Sequence, residues 1–172
     1  MSLAIDTFKG ALTGGGARPN LFEVIIPGIN VEGAGGTILC KGAALPASVV
    51  NSIDVPFRGR QLKVAGDRTF ENWTITIIND TSFKSRALFE GWLNQINGHI
   101  SGEGNPDPLS YQQDLTVKQL GRDNSVLRTY TIVGAFPVNV AAIDLSYDST
   151  DAVQEYTVEF AYQYWTANGD EP

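Results

Sequence analysis

Few side chains in this sequence could act as a nucleophile or as its activating base. The chain contains one cysteine, Cys40, and one histidine, His99. A catalytic thiol needs a nearby base, and His99 lies in a glycine-rich polar segment that no motif connects to Cys40. A single cysteine can form neither an internal disulfide nor a cysteine-based zinc site. We therefore expect Cys40 to be a buried, unreactive thiol.

Other residues that could bind a phosphate or a metal, or act as catalytic carboxylates, do not occur in the pattern that such a site requires. The glycine-rich segment 10–18 lacks the Gly-Lys-Ser/Thr ending of a phosphate-binding loop, and no predicted strand precedes it. Glu103 and Asp107 share a loop, but no Glu closes the run as a calcium loop requires. Asp144 and Asp148 lie on the polar face of a predicted strand and read as solvated side chains rather than as a glycosidase pair. The sequence therefore predicts no catalytic residue, no cofactor and no metal.

The composition is that of a foldable, acidic chain. Its 172 residues are 42% hydrophobic and carry a net charge of −7, which predicts one domain over residues 1–172. Nucleic-acid binders place Lys and Arg on phosphates, so this charge argues against that class. No apolar run approaches the roughly 18 residues that cross a bilayer. The first residues do not resemble a secretory signal, so we expect folding in a cytoplasm without membrane anchoring.

Alternation of apolar and polar residues predicts a mainly β protein. The strands 20–28 and 37–45 are expected to form a hairpin across the glycine-rich turn 33–36. The strands 109–120 and 126–136 are expected to form a second hairpin across the turn 121–125. Residues 46–59 read as an extended excursion with a short strand around 49–55, because Pro56 argues against a central strand. The predicted strands are 20–28, 37–45, 60–66, 71–78, 109–120, 126–136, 142–148 and 153–165.

One amphipathic helix is predicted over residues 82–97. Leu88 and Trp92 lie on its apolar stripe, and Asp80 or Thr81 is placed to cap its first turn. Two runs of strands flank this helix, without the strand–helix alternation of a parallel sheet. The pattern favours an antiparallel β-barrel or sandwich with one flanking α-helix, in which Trp92 belongs to the core.

The two ends of the chain are predicted to lie outside the core. Residues 1–17 read as a flexible arm that contains one or two short amphipathic turns, and residues 166–172 read as a polar tail. Several strands also carry apolar groups on both faces, as at Ile75 and Ile78. A single sheet in a monomer would leave one of those faces uncovered, so we expect contacts between subunits.

Four separated blocks of the sequence resemble the tail tube subunits of contractile-tailed bacteriophages. They occur in the order that the family has, and together they span nearly the whole chain. The resemblance implies a tail tube fold, and hexameric rings that stack into a hollow conduit for genome delivery. The blocks are ARPNLFEV (17–24), CKGAALPASVV (40–50), KVAGDRTFENWTITIIND (63–80) and FPVNVAAIDLSYDSTDAVQEYTVEFAYQYW (136–165).

The resemblance also implies partners and a location. A contractile sheath would surround the tube, baseplate and terminator proteins would contact its ends, and DNA would pass through the lumen without specific binding. The protein would be part of the virion tail after assembly in the host cytoplasm. We expect contacts between subunits or rings at Arg18, Arg58, Arg60, Asp67 and Arg68. The alternative for Asp67 and Arg68 is a turn that they stabilise within one subunit.

Two other functions compete with the phage tail tube. A subunit of a related contractile injection system, such as a bacteriocin or a type VI secretion tube, predicts the same fold and the same ring. Neighbouring genes for a capsid and a terminase would distinguish the phage. A β-barrel hydrolase or binding module is the second alternative, and the missing nucleophile–histidine or metal constellation argues against it.

Overall fold

The computed structural model describes residues 5–28 and 39–168, apart from the side chain of Thr13. All strand pairs are antiparallel, which confirms the predicted mainly β fold with one main helix. The elements are α1 (Ile5–Ala11), β1 (Phe22–Ile25), β2 (Cys40–Ala43), β3 (Val49–Phe57), β4 (Arg60–Thr69), β5 (Trp73–Ile78), α2 (Lys84–Ile96), α3 (Pro108–Tyr111), β6 (Gln113–Leu120), β7 (Val126–Val140), β8 (Glu155–Ala161) and β9 (Tyr164–Ala167).

The long strand β7 belongs to two layers. Its first half pairs with β6 and β9, and its second half pairs with β8, so the strand order is β1-β6-β7-β8-β5-β2 with β9 beside β7. Gly134 lies between the halves with a φ of 64°, a conformation that side chains other than glycine rarely adopt. A Cβ there would lie 2.9 Å from the Gln163 side chain. This glycine lets one strand pass from one sheet to the other.

The core lies between these layers and beneath α2. Phe160 of β8 is fully buried, and its ring centroid is 5.7 Å from that of Trp73, 6.1 Å from that of Phe89 and 6.0 Å from that of Trp92. Trp73 and Trp92 are therefore core residues, as the sequence predicts. The two indole N–H groups donate to backbone carbonyls at 2.6 Å and 2.7 Å, which satisfies their polar ends inside the core.

Two predicted pairings differ from the structure. The segments 20–28 and 37–45 do contain strands, but they form no hairpin: β1 pairs with β6, and β2 pairs with β5. The turn predicted at 33–36 lies outside the described residues. The segment 142–148 is a loop, because the chain leaves the sheet after Val140 and the Arg86 guanidinium donates to the carbonyl of Ala141 at 3.0 Å.

Helix α2 lacks the predicted N-terminal cap, and it buries a different face from the one predicted. Neither Asp80 nor Thr81 caps it; Phe83 stands before the first turn with a φ of 54° and no side-chain cap. The buried face runs through Phe89 and Trp92, whereas Leu88 is 40% exposed. The apolar stripe is thus rotated toward Phe89, which packs on Phe160.

The ends of the chain carry more structure than the sequence suggests. The helix α1 lies in the predicted arm and buries no residue, in agreement with a short amphipathic turn, while residues 1–4 lie outside the described residues. The strand predicted at 153–165 is broken into β8 and β9. Thr166 and Ala167 of the predicted tail belong to β9, and Ala167 is buried, while residues 169–172 lie outside the described residues. No described helix has the length and apolarity to span a membrane.

Candidate assembly interface

Strands β3 and β4 form a two-stranded ribbon that pairs with no other described strand. A two-residue turn joins them, and both turn residues have positive φ: 46° at Arg58 and 80° at Gly59. Turns of this kind match the right-handed twist of a hairpin. Every residue of β3 is exposed. The ribbon therefore extends into solvent and packs on neither layer of the core.

The strand register sorts the ribbon's side chains into two unlike faces. Residues directly opposite one another in an antiparallel pair point to the same side. On one side five large apolar residues are between 43% and 66% exposed, and we call them the apolar hairpin face: Ile53, Val55, Phe57, Leu62 and Val64. The other side is polar, and an ion pair of 3.7 Å joins Lys63 to Asp54. A ribbon of this kind presents a surface suited to contact with another molecule.

A bulge separates the outer part of the hairpin from its base. The register shifts between Val50 and Ser52, so that Asn51 of β3 stands against two residues of β4, Gly66 and Asp67. Gly66 lies opposite, where a Cβ would come within 3.0 Å of the Asn51 carbonyl oxygen and 3.1 Å of the Ile53 side chain. Bulges bend and twist a ribbon locally. The close approach at Gly66 therefore sets the direction in which the apolar hairpin face points.

The four charged residues predicted around the hairpin fall into two groups. Arg58 and Arg60 lie at the tip, where the Arg58 guanidinium lies 5.3 Å from the centroid of the Phe57 ring. Asp67 and Arg68 lie in β4 close to the base, about 23 Å and about 26 Å from Arg60 at the usual rise of roughly 3.3 Å per residue. All are exposed. The structure therefore does not bring the four together, although all four side chains face solvent.

Arg18 lies in a third place, in the loop before β1. Its carbonyl oxygen accepts a hydrogen bond of 2.7 Å from the Gln119 side chain, which ties this loop to β6. A cleft of about 350 Å³ lies between the loop and the β6–β7 turn, with Arg18, Arg122 and Asp123 in its lining. The exposed Arg18 guanidinium is thus remote in sequence and in fold from the hairpin.

The four-stranded layer β1-β6-β7-β9 ends on both sides in a strand that has one described partner. Strand β1 pairs only with β6, and β9 pairs only with β7, within the described residues. Within residues 5–28 and 39–168, no strand pairs with the outer side of β1 or of β9. An open edge of this kind is a template for another chain.

The groups that could do chemistry have structural partners instead. The Cys40 thiol donates to the Gly42 carbonyl at 3.3 Å, and burial raises the pKa of Cys40 to about 11, so it is a thiol at neutral pH. The Asp107 carboxylate accepts from the backbone N–H of Leu109 at 3.1 Å and caps α3. Residues 5–28 and 39–168 contain no group of three or more His, Cys, Asp and Glu side chains that could hold a metal.

The sequence predicts a strand over 60–66 and a short strand around 49–55, but not that the two pair and share the apolar hairpin face. The signal was present: Ile53, Val55 and Phe57 alternate with polar residues immediately before a turn. Pro56 obscured it, since proline argues against a central strand. In a two-stranded ribbon every strand has a free edge, and proline is compatible with an edge.

Comparison with known proteins points in one direction. The family described as phage tail tube protein matches residues 17–168. Tail tube protein gp19 of Enterobacteria phage T4 is 37% identical over 161 residues, covering 93% of this chain and 97% of that protein. The gp19 of Enterobacteria phage T6 is 36% identical with the same coverage. The sheath–tube complex of an extracellular contractile injection system contains a chain that matches with a TM-score of 0.64 at 13% identity, covering 92% of this chain and 95% of that chain. At that identity the likeness shows a shared fold.

Proposed function

The chain belongs to the phage tail tube protein family, and from that premise we propose that copies of it close into hexameric rings that stack into a hollow conduit for the genome. It is a structural protein of the phage tail. The observation that carries the proposal is the apolar hairpin face, whose five large side chains are between 43% and 66% exposed. Burial of apolar surface is the main driving force of protein association, and a large exposed apolar patch marks a surface that contacts another molecule.

Ring closure is supported by the open edges of the four-stranded layer. In a ring, the β1 edge of one copy would pair with the β9 edge of its neighbour, and the layers of all copies would join into one lining. A closed ring leaves no sheet edge unpaired, which removes the tendency of free edges to recruit wrong partners. This arrangement uses the two outer strands that pair on one side only among the described residues.

Stacking is supported by the hairpin, because it projects away from the core. We place Arg58 and Arg60 at contacts between rings, together with the apolar hairpin face. We place Arg18, Asp67 and Arg68 at contacts between neighbouring subunits. The charge reversal Arg68→Glu is expected to impair tube assembly without lowering the melting temperature, since Arg68 is exposed and Glu is tolerated on a surface strand. Normal tubes from this variant would remove Arg68 from the interface.

The remaining partners follow from the role of the tube. A contractile sheath would surround it, and baseplate and terminator proteins would bind its two ends. DNA would pass through the lumen without specific binding, and a net charge of −7 supports this because like charges repel. The match to a family of tail tube proteins supports a role without catalysis.

Negative-stain electron microscopy of the purified protein tests the proposal. We expect sixfold rings in projection and, at higher concentration, long tubes. In a matched variant, residues 53–64 are replaced by Asn-Gly, which joins the paired residues Ser52 and Ala65 by a two-residue turn. This variant is expected to form rings but no tubes. A protein that stays monomeric at every concentration, and in the presence of sheath and baseplate proteins, would contradict the proposal.

The competing functions are less well supported. The injection-system chain shares the fold at 13% identity, whereas the phage proteins share more than a third of their residues with this chain. Capsid and terminase genes beside this gene would support the phage, and their absence would support an injection system. A hydrolase or binding module would require a site for its ligand, and no observation on the described residues favours one.

A further inference from the structure

The apolar hairpin and one long acidic loop lie at opposite ends of the same pair of strands. The hairpin is joined to the start of β5, where Trp73 pairs with Phe160. The loop 141–154 is joined to the other end, where Ile78 pairs with Glu155. The six residues of β5 separate these ends by about 17 Å at roughly 3.3 Å per residue. Leu145 and Tyr147 of this loop are exposed in the monomer, so the hairpin does not cover its own loop.

The loop 141–154, which we call the acidic loop, exposes apolar side chains of its own. Leu145 is 80% exposed and Tyr147 is fully exposed, although both are large and neither is part of a strand. A cleft of about 360 Å³ opens in the loop, lined in part by Ile143 and Val153. Two exposed apolar side chains beside a cleft are features of a surface that receives another molecule.

The charges of the two surfaces are complementary. Residues 49–69 contain four of the chain's twelve basic side chains and two acidic ones, a net charge of +2 in a protein whose total is −7. The acidic loop contains three aspartates and no basic residue: Asp144, Asp148 and Asp151. Complementary charge directs the encounter of two surfaces and disfavours wrong pairings. Like surfaces would repel, so hairpin-to-hairpin contact is disfavoured.

We propose that the hairpin of one copy docks on the acidic loop of a second copy in the adjacent ring. The apolar hairpin face contacts Leu145 and Tyr147, and Arg58 and Arg60 at the tip lie against Asp148 and Asp151. The pairing is heterologous, because two different surfaces at opposite ends of the chain meet, and such contacts produce open stacks. The inference rests on the proposed tube and names the surface that receives the hairpin.

Cysteine cross-linking tests the contact directly. In a Cys40→Ala background, chains carrying Leu62→Cys and chains carrying Tyr147→Cys are mixed with an excess of chains that keep Leu62 and Tyr147, so that tubes form, and the mixture is then oxidised. We expect a disulfide-linked dimer on a non-reducing gel, formed only when tubes are present. The matched control replaces Tyr147→Cys with Ile100→Cys, which is equally exposed but lies on the loop between α2 and α3. A dimer through Ile100, or tubes without a dimer through Tyr147, would overturn the proposal.

Charge reversal with rescue provides a second test that does not depend on disulfide geometry. The variant Arg58→Glu/Arg60→Glu is expected to raise the protein concentration needed for tubes at least tenfold. The variant Asp148→Arg/Asp151→Arg is expected to do the same. A chain that carries all four substitutions should form tubes by itself at about the wild-type concentration, because the reversed charges again attract one another. Failure of the fourfold variant to recover, with its melting temperature unchanged, would refute the pairing.

Different results would contradict the proposed tube and the proposed docking of the hairpin on the acidic loop. Wild-type protein that forms no rings and no tubes contradicts the proposed function. Wild-type tubes in which the Leu62 and Tyr147 positions do not cross-link leave the conduit intact and refute only the docking of the hairpin on the acidic loop. The wild-type micrograph is therefore recorded beside every cross-linking reaction.

Discussion

The substitution Leu62→Ser separates the stability of the subunit from the stability of the tube. Leu62 is 61% exposed at the centre of the apolar hairpin face, so its loss leaves no cavity in the core. Exposed positions of this kind change the free energy of unfolding by about 0.5 kcal/mol or less. We therefore expect the melting temperature of the monomer to stay within about 2 °C of the wild-type value.

The expected effect on assembly is much larger. Full burial of a leucine side chain contributes about 1.5–3 kcal/mol, so the part of Leu62 still exposed in the monomer retains roughly 1–2 kcal/mol for association. The proposed hexameric ring would repeat the contact six times, which multiplies this to roughly 5–11 kcal/mol for each ring added. Since about 1.4 kcal/mol is a factor of ten, the equilibrium constant for ring addition falls by roughly four orders of magnitude or more.

Sedimentation of assembled protein across a concentration series measures this loss. We expect Leu62→Ser to remain in the supernatant at concentrations where the wild type pellets as tubes. Gln61→Ser is the matched control, because Gln61 neighbours Leu62 but lies on the polar face of the hairpin. Tubes from Leu62→Ser at the wild-type concentration, or equal loss in the control, would refute the assignment of the apolar hairpin face to assembly.

Three further predictions concern the core, the hairpin and the thiol. Phe160→Ala removes a fully buried ring that contacts three other aromatic rings, and we expect chemical denaturation to show a loss of about 3–5 kcal/mol; a loss below about 1 kcal/mol would contradict this packing. Gly66→Val places a side chain against the Asn51 carbonyl, so limited proteolysis should cut within 49–69 while the core melts normally; unchanged protection there would contradict the close approach. Burial raises the pKa of Cys40 to about 11 from 9.0, so iodoacetamide should react with it at pH 8 about a hundredfold more slowly than with an exposed cysteine. The thiol ionises at lower pH in the unfolded chain than in the folded one, so the free energy of unfolding should fall as the pH rises from about 9 to about 11. Fast labelling of Cys40 at pH 8 would contradict its burial.

The parts of the fold that follow local rules could be read from the sequence. The alternation through Trp73, Ile75 and Ile77 identified a strand with one buried face, which the structure confirms. The spacing of apolar residues identified α2, although it could not decide that Phe89 and not Leu88 faces the core, because that choice depends on Phe160 far along the chain. Local pattern thus located the elements, and long-range packing oriented them.

Strand pairing and the interface were harder to predict because they depend on partners. Strands β1 and β2 are close in sequence and read as a hairpin, yet each pairs with a distant strand. The loop around Leu145 alternates like a strand, and no described strand pairs with it. The apolar hairpin face obeys a pattern that predicts burial, although the monomer leaves it in solvent. Its pattern records an environment that the assembly, rather than the single chain, supplies.

In the proposed stack, the placement of the basic hairpin and the acidic loop at opposite ends of β5 and β8 would also give the polymer a direction and no natural length. Each ring that is added covers one set of hairpins or loops and presents an identical set to the next. In such a stack the free energy of addition would be the same at the second ring as at the hundredth. A tube of defined length would therefore require other molecules that limit the number of rings.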